Sequence, residues 1–311
     1  MRTAFLFPGQ GSQAVGMGQS LATSFPEARA VFAAVDDALS LKLSTLCFEG
    51  PAEALALTAN TQPAILAVSL AAHAVWAARA EAASFVAGHS LGEYSALVAS
   101  GALGLADAAR AVRSRGLFMQ EAVPPGEGAM AAVLGLDAAR VAQVCRDVAG
   151  DDVLAPANYN TPEQTVVAGH ARAVERAAPR FKEAGAKRVV PLNVSAPFHC
   201  ALMAPVVPRL KAVLDAVPVQ PVGVPVVTNV EAQPNVDAAR VVPLLLQQVT
   251  APVRWVECVQ AMVAAGVTRM VELGPGRVLS GLVRSTARPV EVLNVEDAAS
   301  LEKALAAVAR S

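Results

Sequence analysis

Short apolar runs that stop at glycine or proline alternate along this chain with longer stretches of helical periodicity. Thr3 to Phe7 is the first such run; it predicts a buried strand, broken by Pro8-Gly9-Gln10-Gly11 before a helical pattern begins. Ser84 to Ala87 predicts a second strand ending in Gly88. Helices are expected from about Leu91 to Ser100 and from about Ala106 to Val123, parted by Gly101 and Gly104. The stretch Ala54 to Ala78 carries no charged residue, yet its alanine content and its Gln62, Pro63 and His73 mark it as a helix buried in a domain, not a membrane span.

Pro124-Pro125-Gly126-Glu127-Gly128 is the clearest boundary. Beyond it the order becomes strand from Ala129, helix Asp137 to Val148, strand Val153 to Ala157, strand Gln164 to Ala168, helix Ala171 to Ala184 and strand Arg188 to Asn193. That βαββαβ order predicts a ferredoxin-like insert. Val224 to Asn229 and Arg269 to Leu273 read as further core strands, the second running into Gly274-Pro275-Gly276. The expected organisation is a core of residues 1–125 and 196–311 with an insert of residues 126–195.

Composition supports an α/β class. Of 311 residues 54% are hydrophobic and only 4% aromatic, the Ala, Val and Leu interior of a parallel sheet covered by helices. A net charge of −1 gives no reason to expect nucleic acid or an anionic membrane as partner. Cys47, Cys145, Cys200 and Cys258 are scattered without metal-ligand spacing, so reduced thiols and no metal are expected. The apolar run after Met1 is too short for a signal peptide, and a cytoplasmic location is expected.

Ser90 stands in Gly88-His89-Ser90-Leu91-Gly92, a G-x-S-x-G between a predicted strand and a predicted helix. Such an elbow presents a serine hydroxyl above the sheet edge and aims the Leu91 N–H, at a helix start, where an oxyanion would form. The plain alternative is a glycine-rich turn whose serine caps the helix. Of the four histidines, His73 falls in the apolar helix, His89 adjoins the serine but should point elsewhere, and His170 begins a helix as a cap. His199, in the proline-stiffened Ser195-Ala196-Pro197-Phe198-His199, remains as general base, with a half-buried loop histidine as the alternative. No carboxylate between Ser90 and His199 stands at a strand end to complete a triad. Arg115 shares an apolar helix face with Ala108, Val112 and Met119. A buried guanidinium needs an anion: an internal Asp or Glu, or the carboxylate of an acyl substrate.

Gly9-Gln10-Gly11-Ser12-Gln13-Ala14 also fits the G-x-G-x-x-G/A dinucleotide fingerprint, so a nicotinamide-dependent oxidoreductase is a rival. That fold needs an acidic residue at the end of a second strand about 20 positions on. Asp36 and Asp37 have the spacing but lie in a helical stretch, Val31 to Leu41.

Five segments in order, Phe7-Pro8-Gly9-Gln10-Gly11-Ser12-Gln13, Gly88 to Tyr94, Arg115-Gly116 with Met119-Gln120, Ala196-Pro197-Phe198-His199 and Glu272-Leu273-Gly274-Pro275-Gly276, resemble the malonyl-CoA:acyl carrier protein transacylase family. The resemblance spans nearly the whole chain. It implies an α/β-hydrolase-like core with a ferredoxin-like insert, Ser90 as nucleophile and His199 as base. It further implies an oxyanion hole from the N–H groups of Gln10 and Leu91, Arg115 on the malonyl carboxylate, and the Gln248 carbonyl in place of a triad acid. Gln248 precedes Pro252-Val253-Arg254-Trp255, where Ala251 replaces the Asn frequent in the family. Phe198 resembles the malonyl-selective form, or else packs in the core. Asn158-Tyr159-Asn160-Thr161-Pro162 resembles a segment bordering the pocket, with Asn160 as its pocket residue; an Asn-rich turn is the alternative reading.

The implied reaction is ping-pong transfer from malonyl-CoA to the phosphopantetheine thiol of acyl carrier protein, with no bound cofactor. An acidic carrier would meet Arg172, Arg176 and Arg180, spaced i, i+4, i+8 on one helix. A serine esterase or thioesterase, and a scaffold that only binds carrier protein, are the remaining alternatives.

Overall fold

The computed structural model describes residues 1–310 and contains two sheets. In chain order the strands are β1 (Thr3–Phe7), β2 (Phe85–Gly88), β3 (Gly128–Leu134), β4 (Leu154–Thr161), β5 (Gln164–His170), β6 (Arg188–Pro191), β7 (Val226–Val227), β8 (Pro234–Asn235), β9 (Arg269–Leu273) and β10 (Glu291–Val295). The larger sheet has the order β10-β9-β1-β2-β7-β8. Its strands run parallel except for the β7–β8 hairpin.

Both faces of this sheet are covered, and β1 shows it residue by residue. Phe5 and Phe7 pack into one apolar cluster with the helix Thr58–Ala77, while Ala4 and Leu6 pack into another around Trp255 and Met262. Alternate side chains point to opposite faces, so a strand buried on both sides reads as an unbroken apolar run. The smaller sheet is antiparallel, ordered β4-β5-β3-β6, with the helices Ala138–Ala149 and Ala171–Glu183 packed on it around Val133, Val141, Val167 and Phe181. Two strand–helix–strand units interleaved in this order give the ferredoxin-like arrangement.

Three expectations change. The uncharged stretch 54–78 is not one helix: Ala52–Ala56 ends at Leu57, which is extended (φ −64°, ψ 124°), and Thr58–Ala77 starts anew. Pro63 lies inside that second helix, where its missing N–H frees the Ala59 carbonyl, and Arg113 Nη1 reaches this oxygen at 3.4 Å. The strand expected at 224–229 shortens to Val226–Val227, because Pro225 offers only a carbonyl and the chain turns back at Thr228. An edge strand, β10, closes the other side; its Glu291 and Asn294 dilute the apolar pattern that marks central strands.

The dinucleotide reading fails on topology. After β1 the chain makes five helices before β2, and Asp36 and Asp37 lie within the helix Pro26–Leu39. No second strand follows at the distance that fold requires.

Candidate active site

β2 ends at Gly88, and the helix Gly92–Ala99 begins four residues on. A turn this tight excludes side chains: a Cβ on Gly88 would stand 1.9 Å from the Gly92 carbonyl, and one on Gly92 would stand 2.2 Å from the Phe7 carbonyl oxygen. Ser90 takes the strain between them, with φ of 54° in the left-handed region. Asn229 holds the turn from the neighbouring strand's end: its Oδ1 accepts from Ser90 N at 2.7 Å and its Nδ2 donates to Gly88 O at 2.7 Å.

The elbow points the Ser90 hydroxyl at His199, with Oγ 2.7 Å from Nε2. His199 Nδ1 lies 2.9 Å from the Gln248 carbonyl oxygen, which can only accept. Nδ1 therefore carries the proton, and Nε2 is left free to take one from serine. His199 also has a positive φ, 58°, after the Pro197 corner. Burial, and next the charge of Arg115, push its pKa down to about 3.

Arg115, on the helix Leu105–Glu121, is 1% exposed. It donates from Nη1 to Gln62 Oε1 at 2.8 Å, and from Nη2 to Gln248 Oε1 at 3.0 Å and Ser90 Oγ at 3.1 Å. Its Nε has no hydrogen-bond partner among the described residues, and its guanidinium carbon lies 5.8 Å from the centre of the Tyr94 ring. Of the two anions considered for it, an internal carboxylate is not in direct contact among the described residues. The nearest acidic influence is Glu93, whose fully buried carboxyl is pushed up to about 7 by burial, against hydrogen bonds from Asn229 and Gln248 and the charge of Arg115.

A cavity of about 530 Å³ opens over this group, lined by Gln10, His89, Ser90, Asn158, Phe198 and His199 among others. Among the described residues, neither the Gln10 nor the Leu91 backbone N–H bonds to another protein group. Gln10 is fixed through its side chain, which donates to Thr58 Oγ1 at 3.2 Å; Thr58 in turn meets Ser195 Oγ at 2.6 Å. Phe198 belongs both to the main apolar cluster and to the cavity wall.

Asn160 is not a wall residue. The segment 158–161 is the end of β4 rather than a turn; Asn158 faces the cavity, and Asn160 Oδ1 accepts from His89 Nε2 at 2.9 Å. His89 points away from the serine and lies tilted against Trp255. His170 is the N-cap residue of its helix, as expected, but its side chain makes no cap bond; its Nδ1 accepts from Val153 N at 3.0 Å. The arginine row is largely spoken for: Arg172 and Arg176 both bind Asp152, which they hold down to about pH 2, and Arg180 meets Glu183 at 2.9 Å.

Sequence reasoning missed Asn229, Gln62 and Glu93. Asn229 carried one signal, a polar residue closing a predicted core strand, where ligand-facing groups collect. Gln62 carried another, an amide in an uncharged apolar helix, which is buried only when it has partners.

Residues 4–305 match the acyl transferase domain family. Over 305 residues the chain is 48% identical to the malonyl CoA-acyl carrier protein transacylase of Bacillus subtilis, covering 98% of this chain and 96% of that one. The crystal structure of an acyl carrier protein S-malonyltransferase from Vibrio cholerae superposes with a TM-score of 0.95 at 44% identity, covering 98% and 100% of the two chains. A malonyl-transacylase solved in complex with a type II PKS acyl-carrier protein gives 0.96 at 44% identity, covering 99% and 100%.

Proposed function

The chain belongs to the acyl transferase family, and from that premise we propose that it moves a malonyl group from malonyl-CoA to the phosphopantetheine thiol of acyl carrier protein through a malonyl-Ser90 ester. The observation that carries this is one contact set: Ser90 Oγ lies 2.7 Å from a base and 3.1 Å from a buried guanidinium at the foot of a cavity.

The arrangement supports two mirrored half-reactions. As Ser90 Oγ attacks the thioester carbon, its proton passes to His199 Nε2 and the carbonyl electrons move onto oxygen. The N–H groups of Gln10 and Leu91 are the proposed donors to that oxyanion. Collapse breaks the C–S bond, and coenzyme A leaves with the proton from His199. The carrier thiol then gives its proton to His199 and attacks the ester carbon; the C–O bond breaks and Ser90 Oγ takes that proton back from His199. The Gln248 carbonyl holds the imidazole tautomer throughout and favours the imidazolium that forms transiently.

The malonyl carboxylate goes to Arg115. Its Nη2 exchanges Ser90 Oγ for the incoming oxygen, and this also relieves the like-charge pressure on His199. Phe198 bounds the space beside the malonyl C2 carbon and disfavours a branch there.

The same reading divides the chain into a core of residues 1–125 and 196–311 and an insert of 126–195, and places the enzyme in the cytoplasm with no cofactor of its own. Among the described residues no helix is long and apolar enough to cross a membrane. The carrier is an acidic protein; of the arginine row, Arg180 is its proposed contact, because Arg172 and Arg176 share Asp152, whose side chain is 5% exposed, while the Glu183 that Arg180 meets is an exposed partner three residues on.

Intact-mass measurement after mixing with malonyl-CoA tests the proposal. A stable malonyl adduct is expected on the native chain, absent in Ser90→Ala and discharged by a carrier thiol. Immediate release of free malonate would instead mark a hydrolase.

A further inference from the structure

Ser90, His199 and Arg115 lie on three separate segments, yet one side chain outside the reacting set touches the supports of all three. Glu93 sits in the first turn of the helix Gly92–Ala99 and is only 2% exposed. Its Oε2 accepts from the Asn229 backbone N–H at 2.9 Å and from Gln248 Nε2 at 2.9 Å. Asn229 is the residue that ties Gly88 O and Ser90 N together at the elbow. Gln248 carries the carbonyl that holds His199 and the Oε1 that receives Arg115.

The hydrogen-bond directions matter. Gln248 Nε2 has two protons, one on Glu93 and one on the Ser90 carbonyl at 3.1 Å. With both committed, the amide can present only its oxygen to the guanidinium. Turned by half a revolution, it would set an NH₂ group against Arg115 and its oxygen against Glu93, which would keep only the Asn229 N–H. An acceptor at position 93 therefore decides which end of Gln248 meets the clamp. Burying a carboxyl without a directly bonded cation is costly, and an apolar residue of the same size would avoid that cost if shape alone mattered.

We propose that Glu93 is a positioning residue for the acyl-transfer reaction, holding the Ser90 elbow, the carbonyl partner of His199 and the Arg115 clamp in one register through Asn229 and Gln248. A serine triad places its acid on the histidine. Here the acid is one residue removed, on the glutamine whose backbone oxygen the histidine binds. The inference rests on the malonyl-Ser90 reading above.

Single-turnover acylation of Ser90 by malonyl-CoA and by acetyl-CoA, followed by intact mass, separates this role from a merely structural one. Glu93→Ala is expected to lower the malonyl acylation rate by about 100-fold and to reduce the malonyl-over-acetyl preference by about tenfold, as loss of oriented support does at other sites. Glu93→Gln keeps an acceptor oxygen and is expected to recover at least about a third of the rate. Because Glu93 acts in part through Gln248, the double variant Glu93→Ala with Gln248→Ala should be less impaired than the product of the two single effects. Should Glu93→Ala not fold, Gln248→Ala alone carries the test; it keeps the backbone carbonyl but loses the bridge, and should reproduce the loss of preference. Multiplying effects in the double variant, or a Gln248→Ala enzyme with native rate and preference, would overturn the role of Glu93. If native enzyme forms no Ser90 adduct at all, it is the malonyl-Ser90 reading that fails.

Discussion

Arg115→Ala gives the sharpest separation between binding an acyl chain and recognising its carboxylate. The guanidinium is 1% exposed and engaged by Gln62, Gln248 and Ser90, so a carboxylate that reaches it is largely dehydrated. Charge-assisted hydrogen bonds are worth about 1.5–3 kcal/mol each, and a bidentate pair about twice that. At about 1.4 kcal/mol per tenfold, malonyl kcat/KM should fall by about 10² to 10⁴. Acetyl transfer makes no such contact and should lose far less, so the malonyl-over-acetyl ratio collapses by at least about 100-fold. A second effect has the opposite sign. Burial is the largest cause of the low His199 pKa of about 3 and the Arg115 charge the second, so removing Arg115 raises that pKa while burial still holds it below the ordinary 6.5. The acid limb of acetyl acylation should then move to higher pH. Steady-state kinetics with both thioesters from pH 3 to 8 reads both effects. An unchanged ratio in an enzyme that still acylates Ser90 would refute the clamp.

Phe198→Ala opens the wall beside the acyl site, and transfer of a 2-methyl-branched malonyl group relative to malonyl should rise about tenfold, the scale of one methyl in a pocket; paired kcat/KM values check it. His73 is pushed down to about 4 from an ordinary 6.5 by burial. Below pH 6.5 the unfolded chain takes up a proton that the folded chain refuses, so stability is full above 6.5 and is lost as pH falls toward 4. Urea unfolding of His73→Leu should show a smaller drop in midpoint between pH 6.5 and 4.5 than the native chain. Arg180→Glu should raise KM for carrier protein several-fold while malonyl-CoA acylation of Ser90 stays at its native rate; an unaltered carrier KM would remove this helix from the docking face.

The strand–glycine–helix pattern made the elbow legible, because Gly88 and Gly92 answer a local steric demand that sequence spacing records. Arg115 was legible for the same reason, as a charge on an apolar helix face. Its partners were not. Gln62, Gln248 and Ser90 lie 53, 133 and 25 residues away, and only tertiary folding brings them together. Glu93 stood inside a recognised motif, but its work is done on Asn229 and Gln248, so nothing local distinguished it from a polar residue in a helix's first turn. The two ends of the core sheet show the same limit. Central β1 announces itself as an apolar run, and β9, which carries Arg269 and Glu272, by the Gly274-Pro275-Gly276 turn it runs into, whereas edge β10 is half-buried and shows only a weak pattern.

The chain breaks the core to build the second sheet, and the contacts across that junction separate chemistry from architecture. Ser90, Arg115, His199, Asn229 and Gln248 all lie outside residues 126–195, whereas the second sheet lends Met130 and Asn158 to the cavity wall and Asn160 to His89. The Asn160–His89 bond joins the end of β4 to the residue before the nucleophile. Asn160→Ala leaves the half-buried His89 imidazole N–H without its acceptor, a cost of about 1 kcal/mol, the low end for an unsatisfied group. The elbow itself is held from the other side by Asn229 and Gln248. The variant should therefore lose stability by that amount in urea titration, while acylation of Ser90 by malonyl-CoA falls by less than about tenfold. A well-folded Asn160→Ala protein unable to acylate Ser90 would mean that the second sheet, and not the core alone, sets the geometry of the nucleophile.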